Sequence, residues 1–316
     1  MIRTDAVPEA TAPPEHHADF LELCTLRSNK RSASFQELIS DLRIANVSEV
    51  IADSANRDED ESADENGDIA QAAFDEIDER GRNFGTQAAR YPFEITGNII
   101  KLKARGEESL YTFLALLSWY GKNAGPEHTD GEKLFEEVCA KAAEAYFGGP
   151  SVRVKSFVFG FPRRVQPKGF AEALDAMCRS MGEGGGHRKG RPKLPLQKDG
   201  KLDIVAWVEF QDSRQGKLIT FGQCATGRNW EEKISELPPP DRWCGHWMDD
   251  TPTVLPTRSF FVPHRIVRNS WSHSCTFGGI LYDRCRIASL ASEVDEGLVQ
   301  QWVAWSAHVL TQIRGA

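Results

Sequence analysis

The residues of this chain best suited to chemistry lie between positions 199 and 237, which read DGKLDIVAWVEF, then DSRQGKLITFGQCATG, then RNWEEKISEL. The pattern predicts two strands joined by a polar turn and followed by a helix with Asn229 as its N-cap. Asp203 opens the first strand and Gln223 stands near the end of the second. A carboxylate and an amide oxygen on neighbouring strands are hard oxygen donors of the kind a divalent cation takes. Asp203 shares strand parity with Val205 and Trp207, which places it on an inward face. A second chemical feature is the glycine-rich basic segment GEGGGHRKGRPK, in which Arg188, Lys189, Arg191 and Lys193 could track a phosphate backbone. It lacks the GK-[ST] element of a P-loop. A third feature, Cys244-Gly-His246 with His273-Ser-Cys275, offers the ligand types of tetrahedral zinc at a spacing tighter than usual. No Gly-x-Ser-x-Gly or HExxH stretch is present, so hydrolase-triad and zinc-peptidase chemistry have no support.

The elements that must position these groups fall into two regions. At 316 residues the chain has room for one large or two medium domains. Residues 1–18, rich in Pro, Ala and Glu, read as a disordered tail without the apolar core of a secretory signal. Residues 19–127 read as a mainly helical domain, with Ser34 an N-cap and NRDEDESADENGD an unstructured acidic loop. A strand pair is expected around Gly97-Asn98, and SLYTFLALLSWYG reads as a buried helix. The Gly-Pro joint NAGPEHTDG marks the boundary, and residues 128–316 form the second domain. There, GEKLFEEVCAKAAEAYFG is an amphipathic helix with Phe135, Val138, Ala142 and Tyr146 on one stripe. SVRVKSFVFGFP is a strand, and FAEALDAMCRSMG is a helix ending in the flexible glycine segment. After residue 237 come the strands TRSFFVPHRI and GGILYDRCRIASL, and a long closing helix. The fold class is therefore α/β, one mixed sheet flanked by helices, preceded by a mainly helical region.

Charge is unevenly spread beneath a net −8: residues 49–79 hold thirteen acids against Arg57, while residues 151–201 hold twelve Lys and Arg against four acids. An acidic protein still binds nucleic acid when its basic groups gather on one face. Seven scattered cysteines without a CxxC favour a reducing, cytoplasmic setting over a disulfide framework. No apolar run is long enough for a membrane span.

The order helix–strand–insert–strand–strand–helix–strand over roughly residues 129–290 resembles the restriction-endonuclease-like fold, the PD-(D/E)XK nuclease superfamily, and within it the Mrr-like bacterial defence nucleases. Three stretches carry the resemblance: the helix GEKLFEEVCAKAAEAYFGG, the strand DGKLDIVAW, and GQCATGRNW. It implies a nuclease cleaving DNA phosphodiesters with Mg²⁺ or Mn²⁺, serving anti-phage defence. Asp203, Gln223 and Glu136 would be the metal ligands. It further implies nucleic acid as partner, with a helicase or ATPase defence partner and a homodimer as further expectations. The departure is Ala225, where the family motif has lysine. Lys233, one turn into the next helix, or Arg228, at the strand–helix turn, would then carry that lysine's electrostatic role. Without such a replacement, the resemblance leaves a catalytically inactive nuclease-fold module that binds nucleic acid or a partner protein.

Overall fold

The computed structural model describes residues 6–50, 59–148, 152–160, 167, 169–190, 200–291 and 294–315. The chain divides into two compact units: residues 1–129 with 265–267 and 300–316, and residues 130–264 with 268–299. The architecture is mixed α/β, with a three-stranded antiparallel sheet and a five-stranded mixed sheet. Among the described residues no helix is long and apolar enough to cross a membrane.

The first unit begins with α1 (Pro14–Arg27), which starts inside the stretch read as a tail and buries His17, Ala18 and Leu21. Strand β1 (Ser32–Ser34) leads into α2 (Phe35–Val50). At that junction the Ser34 hydroxyl accepts the Glu37 N–H, and Glu37 accepts the Ser34 N–H at 2.6 Å. This reciprocal capping box satisfies two donors at the helix start. Helix α3 (Glu59–Asn83) reaches well into the segment expected to be an acidic loop. Strands β2 (Phe93–Thr96) and β3 (Ile99–Leu102) form the expected hairpin about Gly97, whose φ of +58° suits glycine. Sheet order is β1-β3-β2. Helix α4 (Leu110–Tyr120) is buried and capped by Ser109.

A charged network crosses this unit's interior. Arg80, fully buried, meets Glu76 at 2.8 Å, Asp19 at 2.7 Å and Glu22 at 3.0 Å. Tyr91 and Tyr111 donate their hydroxyls to Glu22 at 2.6 and 2.9 Å. A buried guanidinium needs such pairing to offset its desolvation.

The second unit is built on α5 (Gly131–Tyr146), β4 (Val154–Val158), α6 (Phe170–Met181), β5 (Ile204–Val208), β6 (Ile219–Cys224), α7 (Trp230–Lys233), α8 (Pro240–Trp247), β7 (Thr257–Phe261), α9 (Trp271–Gly278), β8 (Ile280–Tyr282) and α10 (Arg284–Leu290). The closing helix, α11 (Glu296–Arg314), belongs for most of its length to the first unit. The sheet of the second unit runs β4-β5-β6-β7-β8 in space. The β4–β5 and β5–β6 pairs are antiparallel, while β6–β7 and β7–β8 are parallel. One sheet face packs on α6 and α8 through Phe159, Leu174, Met177, Val205, Trp207, Phe221 and Trp243. Helix α5 also packs on the sheet, with Phe135, Val138 and Ala142 inaccessible. Tyr146, expected on the same buried stripe, is 51 % exposed and lies edge-on to Tyr282. The segment GGILYDRCRIASL gives only the short β8, because Asp283 caps α10 by accepting the Arg286 N–H.

Candidate functional site

Asp203 stands one residue before β5, where three strands meet. Its N–H donates to the Gly222 carbonyl at 2.9 Å, and its own carbonyl accepts from Phe159 N–H at 2.7 Å and Gly160 N–H at 3.0 Å. Its side chain is half-buried, and Oδ2 accepts the Cys224 N–H at 2.7 Å. The start of β5, the end of β6 and the end of β4 are thus tied together through one residue.

Glu136 reaches the same strand end from α5. A Cβ added to Gly160 would lie 2.5 Å from Glu136 Oε2 and 2.7 Å from Oε1, so the carboxylate fills the space that glycine leaves. The residue sits in a run of surface-type charges, yet it is 3 % exposed. Its partner is Lys133, which donates from Nζ to both carboxylate oxygens at 2.6 and 2.8 Å and is itself 5 % exposed. Lys133 is the residue that sequence reasoning missed. Its signal was the i, i+3 spacing to Glu136 on a helix that turns out to be buried on nearly all sides.

One turn further on α5, the Cys139 thiol lies close to that of Cys224. Burial pushes both thiols up, that of Cys224 well above the usual range, and the charges of Asp203 and Glu136 act on each in the same direction. Both carboxylates therefore bear on the same small volume between α5 and β6.

Gln223 points elsewhere. Successive strand residues face opposite sides, and with Cys224 meeting α5, Gln223 faces the α6–α8 side. Its Oε1 accepts the Leu237 N–H at 3.2 Å and its Nε2 lies 3.4 Å from Glu236 Oε2. Glu236 also takes Lys201 Nζ at 2.8 Å. Ala225, with the same parity, is 2 % exposed. Of the three expected ligands, Asp203 and Glu136 both border Gly160, Asp203 through its main chain and Glu136 through its carboxylate, while Gln223 is hydrogen-bonded to the loop that follows α7.

Lys233 is the last residue of α7, which spans four residues rather than the longer helix expected. Asn229 makes no side-chain cap; it donates to Glu232 instead, at 3.2 Å. The Lys233 amine lies over the turn after β6, 3.7 Å from where a Gly227 Cβ would stand. Arg228, in the same turn, is exposed.

The glycine segment expected to be flexible is fastened to its surroundings. His187 N–H donates to Asp175 Oδ1 at 2.7 Å, and Arg188 donates from its main chain to the Trp247 carbonyl and from its guanidinium to Gly245, at 2.8 and 2.7 Å. Gly184, Gly185 and Gly186 all have positive φ, which lets the loop lie against Asp249 and Asp250. Lys189 is exposed; Arg191 and Lys193 lie outside the described residues.

Among the described residues no group of three His, Cys, Asp or Glu side chains is arranged to hold a metal ion. Cys244, half of the expected zinc pair, sits in the core, where burial pushes its thiol up to about 12. Mg²⁺ is commonly held by only one or two carboxylates, with water and substrate phosphate completing its shell. Asp203 and Glu136 are the carboxylates of that donor type here, but their oxygens are already engaged, both of Glu136 by Lys133 and one of Asp203 by Cys224 N–H, as is Gln223 Oε1 by Leu237 N–H. Comparison with protein-family models, with curated proteins and with solved structures finds no match to this chain.

Proposed function

We propose that this chain is a nuclease with a restriction-endonuclease-like second unit, cleaving DNA phosphodiester bonds, and that it acts as an effector of anti-phage defence. The observation that carries the reading is that Asp203 and Glu136 both border Gly160 at the end of β4, within the succession α5, β4, α6, β5, β6, α7, α8, β7. That succession contains the helix–strand–insert–strand–strand–helix–strand order on which the family resemblance rests, with α8 as a further helix before the last strand.

In this reading Asp203 and Glu136 hold Mg²⁺ or Mn²⁺, and the bound ion supplies Lewis acidity toward a phosphoryl oxygen and a more acidic water. The remaining work belongs to the chain. Cys224 N–H fixes one oxygen of Asp203. Lys133 balances the charge of Glu136. Lys233 and Arg228, from the turn after β6, are the cations nearest the end of that strand in sequence. A cytoplasmic setting, a homodimer that cuts both strands and a helicase or ATPase partner belong to the same proposal.

A specific observation favours a second reading, a catalytically inactive module of the same fold that binds nucleic acid or a partner protein. Ala225 is buried and the Gln223 amide is already committed, so the third strand offers neither the motif lysine nor a spare ligand. Plasmid and single-stranded DNA incubated with Mg²⁺ or Mn²⁺ separate the two. Cleavage by the wild type that is lost in both Asp203→Ala and Glu136→Gln supports the nuclease. Bound but uncut DNA supports the inactive module, and cutting that survives Asp203→Ala overturns the site.

A further inference from the structure

Helix α5 and the end of β6 bring two cysteines together beside the carboxylates. On β6, Cys224 has the parity of Thr220 and Gly222, the sheet face opposite to the one that holds Phe221 against α6 and α8. Helix α5 packs on β6. Cys139 follows Glu136 by three residues, so it stands one turn along the same side of that helix. The contacts around Asp203 fix where that turn falls. Its Oδ2 takes the Cys224 N–H at 2.7 Å, its carbonyl takes the Gly160 N–H at 3.0 Å, and Gly160 abuts the Glu136 carboxylate. A ring of neighbours thus runs from Cys224 through Asp203, Gly160 and Glu136 to Cys139, and the two thiols end beside each other. Cys139 is inaccessible, whereas Cys224 is partly exposed, so a reagent from solvent meets Cys224 first.

Two thiols held side by side on two packed layers, one of them reachable from solvent, are what an intramolecular disulfide requires. Closure would draw the sulfurs to about 2.05 Å. It would join α5, which carries Lys133 and Glu136, covalently to the strand end that Asp203 fastens. Cysteines that serve only as small core hydrophobes need neither a thiol neighbour nor an exposed edge. Cys178 and Cys244 supply the contrast: they lie in one core cluster, and both are buried.

We infer that Cys139 and Cys224 are a modification site for peroxide, closing a reversible disulfide that locks α5 onto the sheet beside Asp203 and Glu136. The Cys224 sulfur takes one oxygen from hydrogen peroxide and becomes a sulfenic acid, while water departs. The Cys139 sulfur then attacks it: the S–S bond forms, and the hydroxyl leaves with the second thiol proton as water. Peroxide gains two electrons, the thiol pair gives them, and a dithiol reverses the bridge by exchange. In a reducing compartment such a bridge is transient. The inference stands whether or not the chain cuts DNA. To test it, the full chain is treated with hydrogen peroxide, its remaining thiols are alkylated in denaturant, and the digest is read by mass spectrometry. The expected product is a linked pair of peptides holding Cys139 and Cys224, two hydrogens lighter than their sum and separated by dithiothreitol. Hydrogen exchange of the α5 amides should slow at least about tenfold in the bridged protein. Cys139→Ser should stop Cys224 at the sulfenic acid, which dimedone traps. Should that variant fail to fold, the peptide map and the exchange of the wild type decide alone. Cys139 and Cys224 both staying free while the partly exposed Cys24 or Cys275 oxidises would overturn the inference. So would Cys224 pairing with any other cysteine, or a Cys178–Cys244 bridge forming as readily, and so would α5 exchange that the bridge leaves unchanged.

Discussion

Replacing Lys133 by Met tests whether the charge pair at the heart of the site is buried as described. The two side chains are 6 % and 4 % exposed, with Nζ 2.6 and 2.8 Å from the carboxylate oxygens. At that separation, an effective dielectric near 20 gives a gross attraction of about 6 kcal/mol, much of it offset by desolvation of both ions. Removing one partner leaves the other buried and uncompensated, so Lys133→Met and Glu136→Met should each destabilise the second unit by about 3–5 kcal/mol. Replacing both together should cost far less, because an apolar pair of similar volume is often tolerated where one lone charge is not. The assay is hydrogen exchange of the α5 amides read by mass spectrometry, applied to both single variants, the double variant and the wild type, so that the cycle isolates the coupling. Single costs below about 1 kcal/mol, with additive behaviour in the double variant, would mean a solvated pair. That result would remove Lys133 as the buried counter-charge of Glu136.

Two further outcomes follow from the first unit. Arg80→Met removes the shared cation of Asp19, Glu22 and Glu76, leaving Glu76 its pair with Arg265, which should destabilise that unit by about 3 kcal/mol. A urea midpoint for Arg80→Met equal to the wild type's would refute the network's role. Burial holds the His17 imidazole below its ordinary value of 6.5, outweighing the backbone carbonyls of Pro13, Glu9 and Pro8, while neighbouring His16 adds to the lowering. The unfolded chain then binds a proton more readily than the folded one, so stability should fall as pH drops below 6.5 toward the folded value. His17→Leu should flatten that part of the pH dependence, and an unchanged slope in urea titrations across the window would contradict it.

Where local chemistry was decisive, the sequence was legible. Ser34 and Glu37 spell a capping box, Gly97-Asn98 spells a hairpin, and the alternation around Val205 and Phe221 spells the two central strands. What misled was context supplied by distant residues. The acids after Glu59 read as a loop on composition, but they extend a helix whose later turns are anchored by Ala70, Ala73 and Ile77. Lys133 and Glu136 read as surface charges because pairing, which makes their burial tolerable, is invisible to hydropathy. Gln223 shares the parity of Phe221. Its partner, the Leu237 amide, could not be known before the loop after α7 was placed. The basic glycine segment looked mobile because the carbonyls of Gly245 and Trp247, which hold Arg188, lie more than fifty residues on.

The thiols of Cys139 and Cys224 have a practical consequence. The thiolate is the form that reacts with alkylating reagents, and in the closed structure burial holds both thiols protonated, with Cys139 inaccessible and Cys224 partly exposed. Cys139 becomes reactive when α5 lifts from the sheet, so the rate of labelling there, set against that at Cys224, counts excursions of that layer. A reagent present in excess would turn the pair into an intrinsic clock for local opening, read without any engineered probe. Slower labelling in the presence of a bound ligand would report directly how tightly that ligand closes the seam between helix and sheet.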